Sequence, residues 1–359
     1  MSLDKVGAAL TWLDGTAVID ALDAAVMARA ADAFPLRASA RAATAFTRLD
    51  EYQQWRVLRA PEVTRRLLFA AAEPDDTEAF LVTAVTVELA QGGQSPPPAE
   101  PSWSALGDVR VDPDGTIEMW PQLNEGRVMA LDFGSPRARG IDLSGRSERT
   151  SVARPSFTND QVHAVHRRVA EAMSALAALD STLEHFVQRA TCVLVLQIDP
   201  DGADHVASGS NGNYIGRSFV TNPHHPGASL DCLTEGIVHE AIHGLIYRES
   251  LGHAWVSGDA ALEVPRVRSP WTGRALPVRP FLEAAHVWFG LAHLWALASQ
   301  SADFDPRPVR ARLARSVQGF TEGPVVNLVR PWWPDIRTEV IERVSSLQAH
   351  LLDALLGAS

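Results

Sequence analysis

The residues best suited to chemistry lie within residues 233–248, where His239, Glu240 and His243 form the pattern His-Glu-x-x-His. We predict a helix over 233–248. Residues four apart on a helix share a face, so both imidazoles can bind one metal ion. Glu240 is then placed beside that ion. The alternative, two surface histidines on an ordinary helix, is disfavoured because the flanking residues are apolar and would leave unpaired polar groups poorly solvated.

A metal held by two histidines needs a third protein ligand, and the sequence offers three candidates. Glu263 follows His243 after nineteen intervening residues. Zinc peptidases use that spacing, but the setting of Glu263 is typical of a strand. Glu283 and His286 lie three apart on a predicted helix over 281–299, so they share a face. We rank His286 first, Glu283 second and Glu263 third, because so apolar a helix has little reason to bury a histidine without a partner.

The elements that must position these residues differ along the chain. Residues 1–91 carry apolar side chains at three- and four-residue spacing, which predicts an N-terminal helical region. The segment 92–101, GGQSPPPAEP, is a break rich in proline and glycine, and a metal-binding catalytic domain is expected over 102–359. The turn in DVRVDPDGTIEMW predicts a hairpin. Six arginines of the first region are expected on solvated helix faces: Arg41, Arg48, Arg56, Arg59, Arg65 and Arg66.

One helix and two strands are predicted to lead into the motif. The helix covers about 158–189, and 191–199 is a continuous apolar run typical of a buried strand. Residues 199–212 form a turn-rich connection and 213–223 a second strand. A strand directly before a metal-binding helix can bind an extended peptide by edge pairing. The predicted fold is α+β and mainly helical, with a zincin-like metal-binding helix and a small central β-sheet.

Composition narrows the functional classes. The chain has 359 residues, of which 46% are hydrophobic and 21% charged, enough for a sizeable core. Its net charge of -11 argues against a nucleic-acid partner, which would need a clustered basic surface. Two cysteines, Cys192 and Cys232, fit a reducing compartment better than a disulfide framework. With no signal peptide and no uncharged apolar run long enough for a bilayer, we expect a cytoplasmic protein with no membrane partner.

The segment 269–295, SPWTGRALPVRPFLEAAHVWFGLAHLW, lies downstream of VHEAIH and carries a resemblance. It is similar to a family of bacterial HExxH-motif proteins, the α-ketoglutarate-dependent peptide β-hydroxylases, which are associated with tailoring ribosomally made peptides. Members typically show a Glu-x-x-x-His-Glu-x-x-His helix, a proline-rich segment and a helix with a histidine. Glu235 matches the first glutamate, and His286 falls at the family's histidine position. The matching residues of the proline-rich segment are Pro270, Trp271, Arg279 and Pro280.

The proline-rich segment also departs from the family's pattern. It is longer by a few residues, and Thr272 stands where arginine is usual. The resemblance implies that a guanidinium pairs with the distal carboxylate of the 2-oxo acid, a task suited to bidentate binding. The longer segment leaves open whether Arg279 or Arg274 does so.

The resemblance implies iron(II) and α-ketoglutarate as cofactors, and a peptide substrate such as a ribosomally made precursor. His239, His243 and His286 would hold the iron, leaving positions for the 2-oxo acid and oxygen. Glu240 would then orient a ligand or the substrate and would not take a proton from water. Glu235 either orients His239 in the same way or is an ordinary first-turn residue.

Two other functions can use the same helix. In a zinc metallopeptidase, zinc keeps one position for water and Glu240 takes the proton as general base. That function leaves Arg279 and the Pro-Trp segment unexplained. A non-enzymatic peptide-binding protein with a structural metal is the third possibility, although structural zinc more often uses cysteine. The oligomeric state cannot be derived from the sequence.

Overall fold

The computed structural model describes residues 3–12, 16–69, 74–123, 129–136, 155–199 and 206–356. Helix accounts for 61% and strand for 10% of the described residues, so the expected class, α+β and mainly helical, is confirmed. Two compact units form, each from separate stretches of chain. The sheet unit comprises Ala21–Ala172 and Val187–Gly244, and the C-terminal unit comprises Met1–Asp20, Met173–Phe186 and Leu245–Ser359. The division at residues 92–101 stays a prediction.

The described residues among the first 91 are mainly helical, as their periodicity predicts. Side chains at the N-termini stabilise several of the helices: Asp4 caps α1, Ser39 caps α3, and Asp50 with Gln53 forms a capping box on α4. The helices are α1 (Lys5–Ala9), α2 (Thr16–Arg37), α3 (Ala40–Phe46), α4 (Glu51–Arg59), α5 (Pro61–Leu68) and α6 (Pro74–Gln91).

The expectation that the arginines of this region are all solvated was wrong. Arg56 is buried and binds Glu88 through Nε and Asp108 through both Nη atoms. Arg66 is also buried and pairs with Glu62 at 2.7 Å. A charged side chain can be buried when it is paired and hydrogen-bonded, and the partners of Arg56 come from separate elements. Amphipathic spacing alone could not reveal them.

Two sheets lie in the sheet unit. The Pro-Asp-Gly hairpin is confirmed in the smaller, antiparallel sheet, which contains β1 (Ser102–Trp103), β2 (Val109–Val111) and β3 (Ile117–Met119). The larger sheet has the order β4-β5-β7-β6, with β6 antiparallel to β7 and the other neighbours parallel. Its strands are β4 (Ala130–Asp132), β5 (Val193–Gln197), β6 (Ala207–Ser210) and β7 (Arg217–Thr221).

The larger sheet corrects two expectations. Residues 199–212 are not only a turn-rich connection, because they contain β6. The strand predicted over 213–223 is β7, and it is an inner strand, so β6 forms that edge of the described sheet. The sequence Ala-Ser-Gly-Ser of β6 has little intrinsic β-propensity, and its strand conformation depends on pairing with β7.

The next helices along the chain differ from the prediction in their ends and by one division. The helix expected over 158–189 is divided into α7 (Asn159–Leu179) and α8 (Ser181–Ala190). The division falls at Asp180, whose carboxylate accepts a hydrogen bond from the backbone N–H of Thr182 at 2.7 Å. The motif helix, α9 (Leu230–Gly252), is longer at both ends than the predicted 233–248.

The core of the C-terminal unit is α10 (Val278–Ala298), the helix expected over 281–299. It packs against α11 (Pro306–Thr321) and α12 (Thr338–Leu356). By length and apolarity α10 could cross a membrane, yet 78% of its 18-residue apolar window is buried within the protein, as in a core helix. The remaining elements are the hairpin β8 (Val267–Arg268) and β9 (Ala275–Leu276), and the 3-10 helices Gly258–Ala261 and Val325–Asp335.

Candidate metal centre

The two motif histidines lie one turn apart on α9 and face the same side. Their ring centroids are 5.2 Å apart with an interplanar angle of 46°. The His239 side chain is 34% exposed, and His243 is half-buried. Neutral imidazoles in this arrangement are suited to holding one metal ion jointly while leaving its outer side open to other ligands.

Glu240 is buried and hydrogen-bonded through both carboxylate oxygens. Ser208 Oγ donates to Oε1 at 2.8 Å, and Ser210 Oγ donates to Oε2 at 2.6 Å. The residue is only 3% exposed, and Oε1 lies 3.9 Å from His239 Nε2. Hydrogen bonds to an ionised carboxylate are among the stronger ones in proteins. Glu240 therefore ties the motif helix to β6.

The local sequence of β6 explains why both serines reach Glu240. Residues two apart on a strand project from the same face, so Ser208 and Ser210 both point at the helix. Gly209 between them faces the opposite way, and a Cβ there would lie 2.3 Å from the Phe219 ring. On the helix, a Cβ at Gly236 would lie 3.3 Å from Ser208 Cβ. Glycine at position 236 thus permits the close approach of strand and helix, and glycine at position 209 leaves room for the Phe219 ring on the opposite face.

The sequence did not identify these serines. The pattern Ser-x-Ser was visible, but it lay in a stretch expected to be a turn, and only the pairing of β6 with β7 brings it to the motif. A Ser-Gly-Ser segment is a weak signal in any case, because serine and glycine are also typical of loops.

A cleft runs between β6 and α9 beside His239. Cys232, Glu235 and Gly236 precede His239 on the same face of the helix, at spacings of three and four residues. Cys232 is half-buried and Cys192 is buried, and neither is in a disulfide. The cleft is lined by Val206, Ala207, Ser208, Val220, Cys232, Leu233, Glu235, Gly236 and His239.

His286 is fully buried in the C-terminal unit. Its Nδ1 lies 2.8 Å from the carbonyl oxygen of Leu282, one turn earlier on α10, so Nδ1 carries the proton. Nε2 is buried and has no hydrogen-bond partner among the described residues. Burial, followed by the charge of Arg343, lowers the pKa of His286 to about 4. At neutral pH the residue is therefore a neutral imidazole with an unused lone pair, the form that binds metal.

Trp255 holds the His286 ring in place. The two ring centroids are 4.7 Å apart. The indole N–H of Trp255 donates to Glu249, which also accepts a hydrogen bond from Arg343 at 3.2 Å. Arg343 in turn pairs with Asp4 at 2.5 Å. The orientation of His286 thus depends on a network of hydrogen bonds that reaches the exposed Asp4, as well as on its own helix.

Arg279 and Glu283 form an ion pair one turn before His286. Arg279 Nε donates to Glu283 Oε1 at 2.8 Å, and the Arg279 side chain is 38% exposed while Glu283 is buried. Arg274 is exposed beside β9, and Glu263 is exposed outside any helix. Because Glu283 already pairs with Arg279, it is less available as a metal ligand. This agrees with ranking His286 above Glu283, and the exposure of Glu263 agrees with ranking it last.

The candidate residues therefore fall into two groups. His239, Glu240 and His243 belong to the sheet unit, whereas His286, Arg279 and Arg274 belong to the C-terminal unit. Within the described parts of the chain, no three His, Cys, Asp or Glu residues form a group that could hold a metal ion. The third ligand stays a prediction. No known protein family matches the chain, and a search of curated proteins finds no similar sequence.

Proposed function

We propose that this protein is an iron(II)- and α-ketoglutarate-dependent hydroxylase that acts on a residue of a peptide, at the β-carbon, with a zincin-like motif helix. The observation that carries the proposal is the environment of Glu240. A general base needs a carboxylate oxygen directed at the water it activates. Both Glu240 oxygens instead accept hydrogen bonds from serines of β6. That arrangement favours a supporting role for Glu240 over the proton-abstracting role of a zinc peptidase.

The available donors fit iron. His239 and His243 would supply two imidazoles, and His286 the third, through its buried Nε2, which has no hydrogen-bond partner in the part of the chain that the structure describes. Three neutral imidazoles suit iron(II) and zinc alike. When bound, iron(II) supplies the chemistry that uses oxygen and the 2-oxo acid to convert C–H into C–OH, releasing succinate and carbon dioxide.

Arg279 is the proposed partner for the distal carboxylate of α-ketoglutarate. It is more enclosed than Arg274, and Glu283 orients it through Nε. A carboxylate ligand would then be bound by the two Nη groups, a bidentate contact that lysine cannot reproduce.

The proposed peptide-binding element is β6, the edge strand of the described sheet. An extended peptide can pair with the backbone of an edge strand, and β6 lies directly beside the motif helix through the Glu240 contacts. A peptide bound there would present successive side chains to alternate faces, one of them toward His239.

The test is anaerobic reconstitution with iron(II) and α-ketoglutarate. We expect a weak visible charge-transfer band, and succinate once oxygen is admitted. Arg279→Ala should weaken α-ketoglutarate binding at least tenfold, while Arg274→Ala serves as the matched control and should leave it unchanged. Glu240→Gln should retain iron and α-ketoglutarate binding, because an amide oxygen can still accept one serine hydrogen bond.

Several outcomes would overturn the proposal. Tight zinc binding together with peptide cleavage that Glu240→Gln abolishes would establish a metallopeptidase. The absence of both the band and succinate, with iron bound, would exclude the hydroxylase.

A further inference from the structure

A second pair of histidines lies between α10 and α12 of the C-terminal unit. His293 is on α10 and His350 on α12, and their ring centroids are 5.6 Å apart with an interplanar angle of 39°. Both side chains are half-buried. Unlike the two histidines of the motif, these two come from different helices, so only the packing of α10 against α12 brings them together.

The separation of the rings fits two imidazoles that share one metal ion. A zinc–nitrogen bond is about 2.0–2.1 Å long, which places each ring centre roughly 3 Å from the ion. Two ring centres on one ion then lie about 5 Å apart at a tetrahedral angle and roughly 6 Å apart on opposite sides of it. The 5.6 Å between His293 and His350 falls within that range, as does the 5.2 Å between the motif histidines.

His293 has an unused ring nitrogen. Its Nε2 is buried and has no hydrogen-bond partner among the described residues. Such an atom is uncommon, because buried polar atoms are nearly always hydrogen-bonded. Burial, followed by the charge of His350, lowers the pKa of His293 to about 4. The ring is therefore neutral at pH 7 and keeps a lone pair with which to bind a metal.

The surroundings of the pair are aromatic on one side and reach solvent on the other. The ring centroid of Phe289 lies 4.7 Å from that of His293 and 6.0 Å from that of His350, so it flanks both imidazoles. No third His, Cys, Asp or Glu completes a metal-binding group in the described residues. Because both histidines keep part of their exposure, water can occupy the remaining positions of an ion bound there.

We propose that His293 and His350 together bind a zinc ion that links α10 to α12, at a site separate from the motif histidines. Imidazole is a good ligand for zinc, and zinc has no geometric preference of its own that two imidazoles and water would violate. The ion binds only the folded arrangement of the two helices and therefore stabilises it. The inference does not depend on the proposed function.

Protection of His350 from diethyl pyrocarbonate tests the site. The reagent acylates accessible imidazoles, and mass spectrometry follows each histidine separately in the full-length, metal-free protein at neutral pH. The parent for this experiment carries His239→Gln and His243→Gln, so that zinc cannot bind at the motif. We expect zinc chloride to slow acylation of His350 at least threefold. The exposed His163 on α7 is the internal control and should react at an unchanged rate.

Replacing His293 identifies the second ligand. His293→Gln should abolish the protection of His350 by zinc, because the ion then has one imidazole in place of two. His253→Gln is the matched control, since it removes an exposed imidazole from the same unit, and it should retain the protection. Zinc should also raise the thermal midpoint of the parent by several degrees and leave that of His293→Gln unchanged. Circular dichroism reports that each variant is folded.

Two results would overturn the site. Absence of protection in the parent, or equal protection in the parent and His293→Gln, would leave the pair as aromatic packing against Phe289. His350→Gln gives an independent measurement if His293→Gln fails to fold. Zinc should no longer raise its thermal midpoint, and a rise equal to that of the parent would contradict the site. None of these readouts depends on succinate formation, so the failure of this inference and that of the proposed function are distinguishable.

Discussion

His293 on α10 should make the stability of the protein depend on pH. Its Nε2 is buried without a partner among the described residues, and its ring lies 5.6 Å from that of His350. Burial, and then the charge of His350, lowers the pKa of His293 from 6.5 to about 4. Between these values the unfolded chain binds a proton that the folded protein does not. The free energy of unfolding therefore falls as the pH falls, and this contribution is fully present only above about 6.5.

The magnitude follows from the two pKa values. A shift of about 2.5 units corresponds to at most about 3.4 kcal/mol when the pH has fallen below 4. At pH 5 the linkage gives a loss of about 2 kcal/mol relative to pH 7.5. That is a large part of a typical stability of about 5–15 kcal/mol.

Urea unfolding of the metal-free protein at several pH values between 5 and 7.5 measures this effect. His293→Gln should reduce the loss of unfolding free energy over that range by about 2 kcal/mol relative to wild type. His163→Gln, at an exposed position on α7, is the control and should leave the pH dependence unchanged. Identical pH dependence for wild type and His293→Gln would refute the assignment of His293 as a buried neutral imidazole.

Three further perturbations test packing around the candidate site. Ser208→Ala together with Ser210→Ala removes both donors from a buried carboxylate and should lower the unfolding free energy by about 3 kcal/mol, measured by urea titration; no change would show that the carboxylate is solvated. Glu249→Gln weakens the acceptor of the Trp255 indole N–H and should lower iron(II) affinity severalfold in a competition titration, with unaltered affinity as the contrary result. Gly319→Ala places a Cβ 2.4 Å from an indole ring and should lower the thermal midpoint by several degrees, while an unchanged midpoint would contradict that packing.

The helical parts of the fold could be predicted because their signals are local. Apolar spacing acts within a few residues of chain, so the motif helix α9 was predicted with errors only at its ends. The strand β6 could not be predicted, because Ala-Ser-Gly-Ser has low intrinsic preference for a strand and becomes one through its neighbour. The division of the helix at Asp180 depended on one capping hydrogen bond that competes with helix continuation.

The same distinction applies to the site. The spacing of His239 and His243 determines their shared face, because both lie on one helix. The partners of Glu240 come from a strand about thirty residues earlier, and nothing in the motif specifies them. The tautomer of His286 depends on a local contact, because its Nδ1 is hydrogen-bonded to its own helix. The packing of the Trp255 ring against it comes from a distant part of the sequence and was not foreseeable.

The strand β6 can hold Glu240 through its side chains and bind a peptide through its backbone at the same time. Side chains leave a strand roughly perpendicular to the direction of its backbone hydrogen bonds. Ser208 and Ser210 can therefore hold Glu240 while the outer backbone edge of the same strand pairs with a peptide. A catalytic base would have to leave its serines to reach a water, which would also loosen the strand that we propose binds the peptide. A supporting carboxylate has no such conflict, and this is the physical reason to assign Glu240 to holding β6 against the motif helix.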